Sequence, residues 1–164
     1  MLVDARPGTT RDSIDALITR GDKKYVFIDT AGIRKKGQVT KADDDIESMS
    51  VIQAIRAMER AEVVVVMCDA KEGVAEQDAK ILGLAQDRGR AMVIAMNKTD
   101  LMSKDELKRA EELARDKVTF APYVPIVRLS VKTGRGVGDL LETIDQVRSA
   151  FTKRVGTEIG RAHV

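Results

Sequence analysis

Three stretches of the chain read as continuous apolar runs that end on a polar residue: Tyr25-Val26-Phe27-Ile28-Asp29, Val63-Val64-Val65-Val66-Met67-Cys68-Asp69 and Ala91-Met92-Val93-Ile94-Ala95-Met96-Asn97. Runs of this length and β-branched content suit strands buried on both faces, as in a parallel sheet. A shorter run, Pro125-Ile126-Val127-Arg128-Leu129-Ser130, predicts a fourth strand. Asp15 to Arg20 alternates loosely before the turn signal Gly21-Asp22, so it is expected to pair as a hairpin with the Tyr25 strand. Between the runs the period changes to that of helices. Apolar residues at Met49, Ile52, Ile55, Ala57 and Met58 predict an amphipathic helix from Ile46 to about Arg60. Ala75 to Gln86 predicts another, stopped near Gly89. Ser103-x-x-Glu106 is a capping box opening a charged helix to about Lys117, and Val137 to Phe151 predicts the last. Strand and helix alternate, which argues for a doubly wound, mostly parallel α/β sheet.

The polar stretches fall where strands end. Arg6-Pro7-Gly8-Thr9-Thr10-Arg11-Asp12 is a loop by its Pro-Gly and hydroxyl content, and Arg34 to Asp45 is charged and without period. Open α/β sheets bind ligands at the carboxyl ends of their strands. Asp29-Thr30-Ala31-Gly32 lies at such an end, and its Gly allows close approach of backbone to a phosphate. Asn97-Lys98-Thr99-Asp100 lies at another. An Asp there can accept both N–H donors of a guanine edge, a bidentate contact that adenine cannot return. A plain strand-to-helix turn favours the same residues. Ser130-Val131-Lys132-Thr133-Gly134 ends the next strand and can offer backbone N–H groups to a base carbonyl. The four segments together, along one edge, are what singles out a nucleotide site.

Composition narrows the alternatives. The 164 residues are 43% hydrophobic and 33% charged, enough for one α/β domain with a real core. A net charge of +2 sets up no basic field that demands nucleic acid, and aromatics at 3% with no Trp argue against base-stacking platforms. The single cysteine, Cys68, precludes a disulfide within the chain and suits a reducing, cytosolic compartment. It reads as inert core within its valine strand, and Met49, Met58, Met67, Met92 and Met96 as core residues. No run approaches the length of a membrane span.

With these motifs the chain resembles the translation-factor-related GTPases, and within them the Der (EngA) ribosome-assembly family, from about Val3 to Val155. The fit is closest to the second GTPase domain of that family, through Pro7-Gly8-Thr9-Thr10-Arg11-Asp12 and Asp29-Thr30-Ala31-Gly32-Ile33-Arg34-Lys35-Lys36-Gly37. The resemblance implies a P-loop NTPase (Ras-like) three-layer sandwich. Asp29, Thr30, Ala31, Gly32 and Ile33 would then face the phosphates, while Asn97, Lys98, Thr99 and Asp100 read guanine with Ser130, Val131 and Lys132. Thr10, or less favourably Thr9, would ligate Mg²⁺ directly and Asp29 through water. Ile33 stands where Ras-like proteins have a water-orienting Gln, so no catalytic side chain is assigned and a monovalent cation, potassium in the relatives that need one, is implied. Thr99 and Val131 replace the Trp and Ala common in the family. The implied partners are GTP or GDP and, for the parent protein, the large ribosomal subunit or its rRNA, with no membrane. Two other readings are a tRNA-modifying GTPase relative and a scaffold that has lost its nucleotide.

Gly-x-x-x-x-Gly-Lys-Ser/Thr, the phosphate loop of the family, occurs nowhere in the 164 residues. The expectation is therefore a G domain over 1–155 lacking its first strand and first helix, cut from a longer gene and inactive alone. In the Ras-like order 2-3-1-4-5-6 the missing strand would leave a gap between the Tyr25 and Val63 strands, or those two strands would have slid together. A tail is expected over 156–164: Glu158 to Val164 has no counterpart in the resembled family, and Ile159-Gly160-Arg161-Ala162-His163-Val164 can be encoded by a common sequencing-adapter read. It is set aside from the fold, and His163, the one histidine, with it.

Overall fold

The computed structural model describes residues 3–4, 15–28 and 55–161, and side-chain surroundings for 15–28 and 55–153. The chain divides into two compact units, Met1–Ala61 and Glu62–Val164.

In the first unit, β1 (Val3–Asp4), β2 (Ala16–Arg20) and β3 (Lys23–Phe27) form an antiparallel sheet in that order. The expected hairpin is present, with Arg20 opposite Lys23 and Ala16 opposite Phe27. Its two-residue turn puts Gly21 at φ +59°, a conformation that two-residue hairpin turns require. The expectation of a strand buried on both faces fails for β3. Tyr25 and Phe27 are half-buried, whereas Val26 is 59% exposed, opposite exposed Leu17. An antiparallel hairpin covers one face and leaves the alternate side chains on the other, so an apolar run is no proof of two-sided burial. The helix predicted from Ile46 is described over 55–60 only, here α1, where Met58 is buried. Residues 46–54 lie outside the described residues.

The second unit carries the parallel sheet: β4 (Val63–Asp69), β5 (Ala91–Asn97) and β6 (Ile126–Arg128), in the order β4-β5-β6. Helix α2 (Glu76–Asp87) joins β4 to β5, α3 (Lys104–Lys117) joins β5 to β6, and α4 (Val137–Arg161) follows. The central strand β5 is buried from Ala91 through Met96. Its alternate residues Val93 and Ala95 form one core with Val127, Leu129 and Leu140, joined by Ile144 and Val147 of α4. Helix α2 packs on β4 and β5, and its Leu82 and Ala85 are fully buried. Each large side chain buried in this way contributes about 1.5–3 kcal/mol. The capping box at Ser103 and Glu106 forms as expected: Ser103 N–H donates to the Glu106 carboxylate at 2.7 Å, and Glu106 N–H returns to Ser103 Oγ at 3.3 Å.

Two further expectations are corrected. Met67 is 47% exposed and so is no core residue: it points to the face of β4 opposite buried Val66 and Cys68. The last helix continues beyond Phe151 to Arg161, since no proline interrupts it.

Cys68 is 6% exposed, and burial together with the nearby Asp78 and Asp69 carboxylates pushes its thiol up to about 11. The inert-core reading therefore stands. A disulfide reagent at pH 8 should leave the folded protein unlabelled and label it rapidly in urea; rapid labelling without denaturant would show an open core.

Candidate functional site

The site is assembled where β4, β5 and β6 end. Asp69 and Asn97 are opposite each other at the last rung of the β4–β5 ladder. Beyond it the chains stay tied: Ala70 N–H donates to the Asn97 carbonyl at 2.8 Å, and Leu129 N–H to the Met96 carbonyl at 2.9 Å. The three strand ends therefore form one rigid edge.

Asn97-Lys98-Thr99-Asp100 turns sharply at this edge. Lys98 sits in the left-handed region at φ 64°, and Thr99–Leu101 forms a 3-10 turn that delivers the chain to α3. Each residue of the turn has a distinct task. The Asn97 side-chain oxygen accepts the Val131 N–H at 3.0 Å and so braces the loop after β6. Buried Thr99 gives both its N–H, at 3.2 Å, and its hydroxyl, at 2.9 Å, to the Leu129 carbonyl. The family's usual Trp is thus replaced by a residue that anchors the turn from inside. Lys98 Nζ reaches Asp69 Oδ2 at 2.6 Å. Asp100 is exposed, and no hydrogen bond or ion pair from the described residues engages its carboxylate.

The loop after β6 is equally ordered by its own groups. Ser130 is fully buried; its N–H donates to the Arg135 carbonyl and its carbonyl accepts from Gly134 N–H, both at 2.9 Å. Its hydroxyl accepts the Thr133 N–H at 3.3 Å. With the Val131 N–H held by Asn97, the N–H of exposed Lys132 is left as the donor this loop can turn to a base. Sequence reasoning named Asn97 to Asp100 and Ser130 to Lys132 correctly as neighbours. It missed Asp69, although an acidic residue ending an apolar strand next to the Asn97 strand was the signal.

The electrostatics follow the pairing. Its hydrogen bond to Lys98 holds the Asp69 carboxyl below the usual carboxylate range, aided by the Lys71 N–H at 2.9 Å. The same bond raises the Lys98 ammonium above its ordinary value. A lowered acid contributes above its unfolded value and loses that contribution as pH falls through the folded one; a raised base does the reverse at alkaline pH. The pair is therefore intact throughout the neutral range.

Thr9, Thr10, Asp29, Thr30, Ala31, Gly32, Ile33 and the charged stretch Arg34 to Asp45 lie outside the described residues. Among the described residues no group of three or more His, Cys, Asp or Glu could hold a metal ion, and no helix is long and apolar enough to cross a membrane.

Comparison with known proteins gives this geometry its setting. A family model for the 50S ribosome-binding GTPase matches residues 1–98, and one for the elongation factor Tu GTP binding domain matches residues 50–150. The chain belongs to this family of GTPases. GTPase Der of Moorella thermoacetica is 44% identical over 159 residues, which are 96% of this chain and 36% of that protein. The chain thus spans about a third of the length of the curated relatives it matches. Elongation factor SelB of Methanococcus maripaludis, solved with a GTP analogue, aligns with a TM-score of 0.65 and 18% identity over 84% of this chain and 28% of that one. Era in complex with MgGDPNP and a segment of 16S ribosomal RNA aligns at 0.63 and 25%, over 85% of this chain and 45% of that one. The α/β fold of P-loop GTPases expected from the sequence is the observed one.

Proposed function

We propose that the described site reads guanine, and that it serves a protein that hydrolyses GTP in assembly of the large ribosomal subunit in the cytoplasm. The observation that carries the guanine reading is the exposed, unengaged carboxylate of Asp100 on a turn whose other members are locked. Two acceptor oxygens on a rigid support match the N1–H and exocyclic amine of guanine. The Lys98 stem would lie against the base, and the Lys132 N–H would meet its carbonyl. The ribosomal assignment rests on the similarity to GTPase Der together with the match to the 50S ribosome-binding model.

Hydrolysis would transfer the γ-phosphoryl group to water, giving GDP and inorganic phosphate. Thr10 and Asp29 are the candidates to hold Mg²⁺, which neutralises charge on the phosphate oxygens when bound. Potassium at the same phosphates would complete a site whose Ile33 cannot orient water.

The test is Asp100→Asn in a chimera that places the phosphate-loop segment of a GTPase Der relative ahead of Met1. Asn offers one acceptor and one donor, which fits xanthine instead of guanine. Loss of the bidentate contact should cost about 3 kcal/mol, on the order of a hundredfold in GTP affinity, with a gain for XTP. Unchanged GTP affinity with no gain for XTP would remove Asp100 from the site.

A further inference from the structure

We infer that Asp69 is the positioning residue of the guanine-reading turn, holding Lys98 in the left-handed conformation that sends Asn97 inward and Asp100 outward. This deepens the reading proposed above and rests on it. A lysine at φ 64° is unusual, because its Cβ crowds the carbonyl that a glycine would leave free. Three observations show what holds it there. Asp69 and Asn97 share the last ladder rung, so the carboxylate is carried by paired backbone directly beside the start of the turn. The Asp69 carboxylate is itself oriented, one oxygen accepting the Lys71 N–H at 2.9 Å and the other facing Lys98 Nζ at 2.6 Å. Its side chain is only 18% exposed, whereas that of Lys98 is 56% exposed. The pair therefore has an exposed half, Lys98, and a more enclosed half oriented by backbone, Asp69.

An ion pair with one partner so exposed adds little to global stability. Its consequence is local: it removes the freedom of a long side chain that would otherwise have to be ordered when a base arrives. Among the described residues, Glu72 and Lys71 are the other charged groups that act on the pair. Glu72 acts on Lys98 in the same sense as Asp69, and Lys71 on Asp69 in the same sense as Lys98. Neither forms the 2.6 Å contact.

Nuclear magnetic resonance on the 164-residue chain decides it, with guanosine and adenosine at millimolar concentration as probes. In the unmodified protein the Lys98 ammonium should give a slowly exchanging signal that disappears when acid titrates the Asp69 carboxyl. Asp69→Asn should abolish that signal, shift the amides of Lys98 to Leu101, and weaken guanosine binding about tenfold without changing its preference over adenosine. Asp69→Glu, which restores the charge, should recover part of both. A Lys98 signal insensitive to Asp69, or guanosine affinity unchanged in Asp69→Asn, would overturn the assignment. Should guanosine fail to bind the unmodified protein, the guanine reading falls, and the Lys98 signal alone still decides whether Asp69 positions the turn. If Asp69→Asn loses its fold, acid titration of the unmodified chain distinguishes the same two outcomes.

Discussion

Gly136→Ala should destabilise the protein by about 2–5 kcal/mol, a large part of the roughly 5–15 kcal/mol that holds a domain together. Gly136 has φ +75°, where a Cβ is strained by about 1–2 kcal/mol. The larger part is steric. An added Cβ would lie 2.2 Å from the Arg128 carbonyl oxygen and 3.0 Å from the Leu129 Cα. Both atoms are backbone, so no rotamer change relieves the clash, and the end of β6 has to move. The site would move with it, because the Leu129 carbonyl is the acceptor for both Thr99 groups and Leu129 N–H is tied to Met96. Gly134 supplies the control: its φ is +78°, but a Cβ there meets nothing within 4 Å. Urea denaturation of the two variants separates strain from contact. Gly134→Ala should lose only about 1–2 kcal/mol. An equal loss in both would show that the close approach to Arg128 has no energetic weight.

The same contrast shows why some of this protein was legible in its sequence and some was not. The parallel unit announced itself: runs such as Val63 to Asp69 and Ala91 to Asn97 have the length and branching of buried strands, and Ser103 with Glu106 fixed the start of α3. The polar residues ending β5 and β6 were singled out because ligand sites of open sheets collect there. Burial of β3 was misjudged, because an apolar run does not reveal whether a neighbour covers both faces. Met67 failed for the same reason, lying on the less covered face of β4. Pairings between distant segments left a fainter trace. The Asp69–Lys98 contact and the seat of Gly136 against Arg128 depend on which strand ends are neighbours, and that becomes visible only once register is known. The expected phosphate and Mg²⁺ contacts from Thr10 and from Asp29 to Ile33 lie outside the described residues.

These 164 residues alone should show no micromolar binding of GTP and no hydrolysis. The turn proposed to read guanine is in place, with Asn97, Lys98 and Thr99 braced and Asp100 exposed. A base contact is only part of the affinity, however. The triphosphate carries most of the ligand's charge, and in P-loop proteins it is cradled by successive N–H groups and a lysine of the Gly-x-x-x-x-Gly-Lys-Ser/Thr loop. That motif is absent from the sequence. Each charge-assisted hydrogen bond is worth about 1.5–3 kcal/mol, so losing several removes as much as the roughly 8 kcal/mol of a micromolar complex. Lys98 cannot substitute for the missing lysine, since Asp69 already neutralises it. Calorimetry with GTP and Mg²⁺ on the chain, beside the chimera carrying a phosphate loop, is the measurement. Heat of binding at micromolar concentration should appear in the chimera only. Micromolar binding by the 164 residues themselves would mean that the phosphates are held by groups outside any P-loop, and that the guanine-reading turn is not the sole part of the site this chain carries.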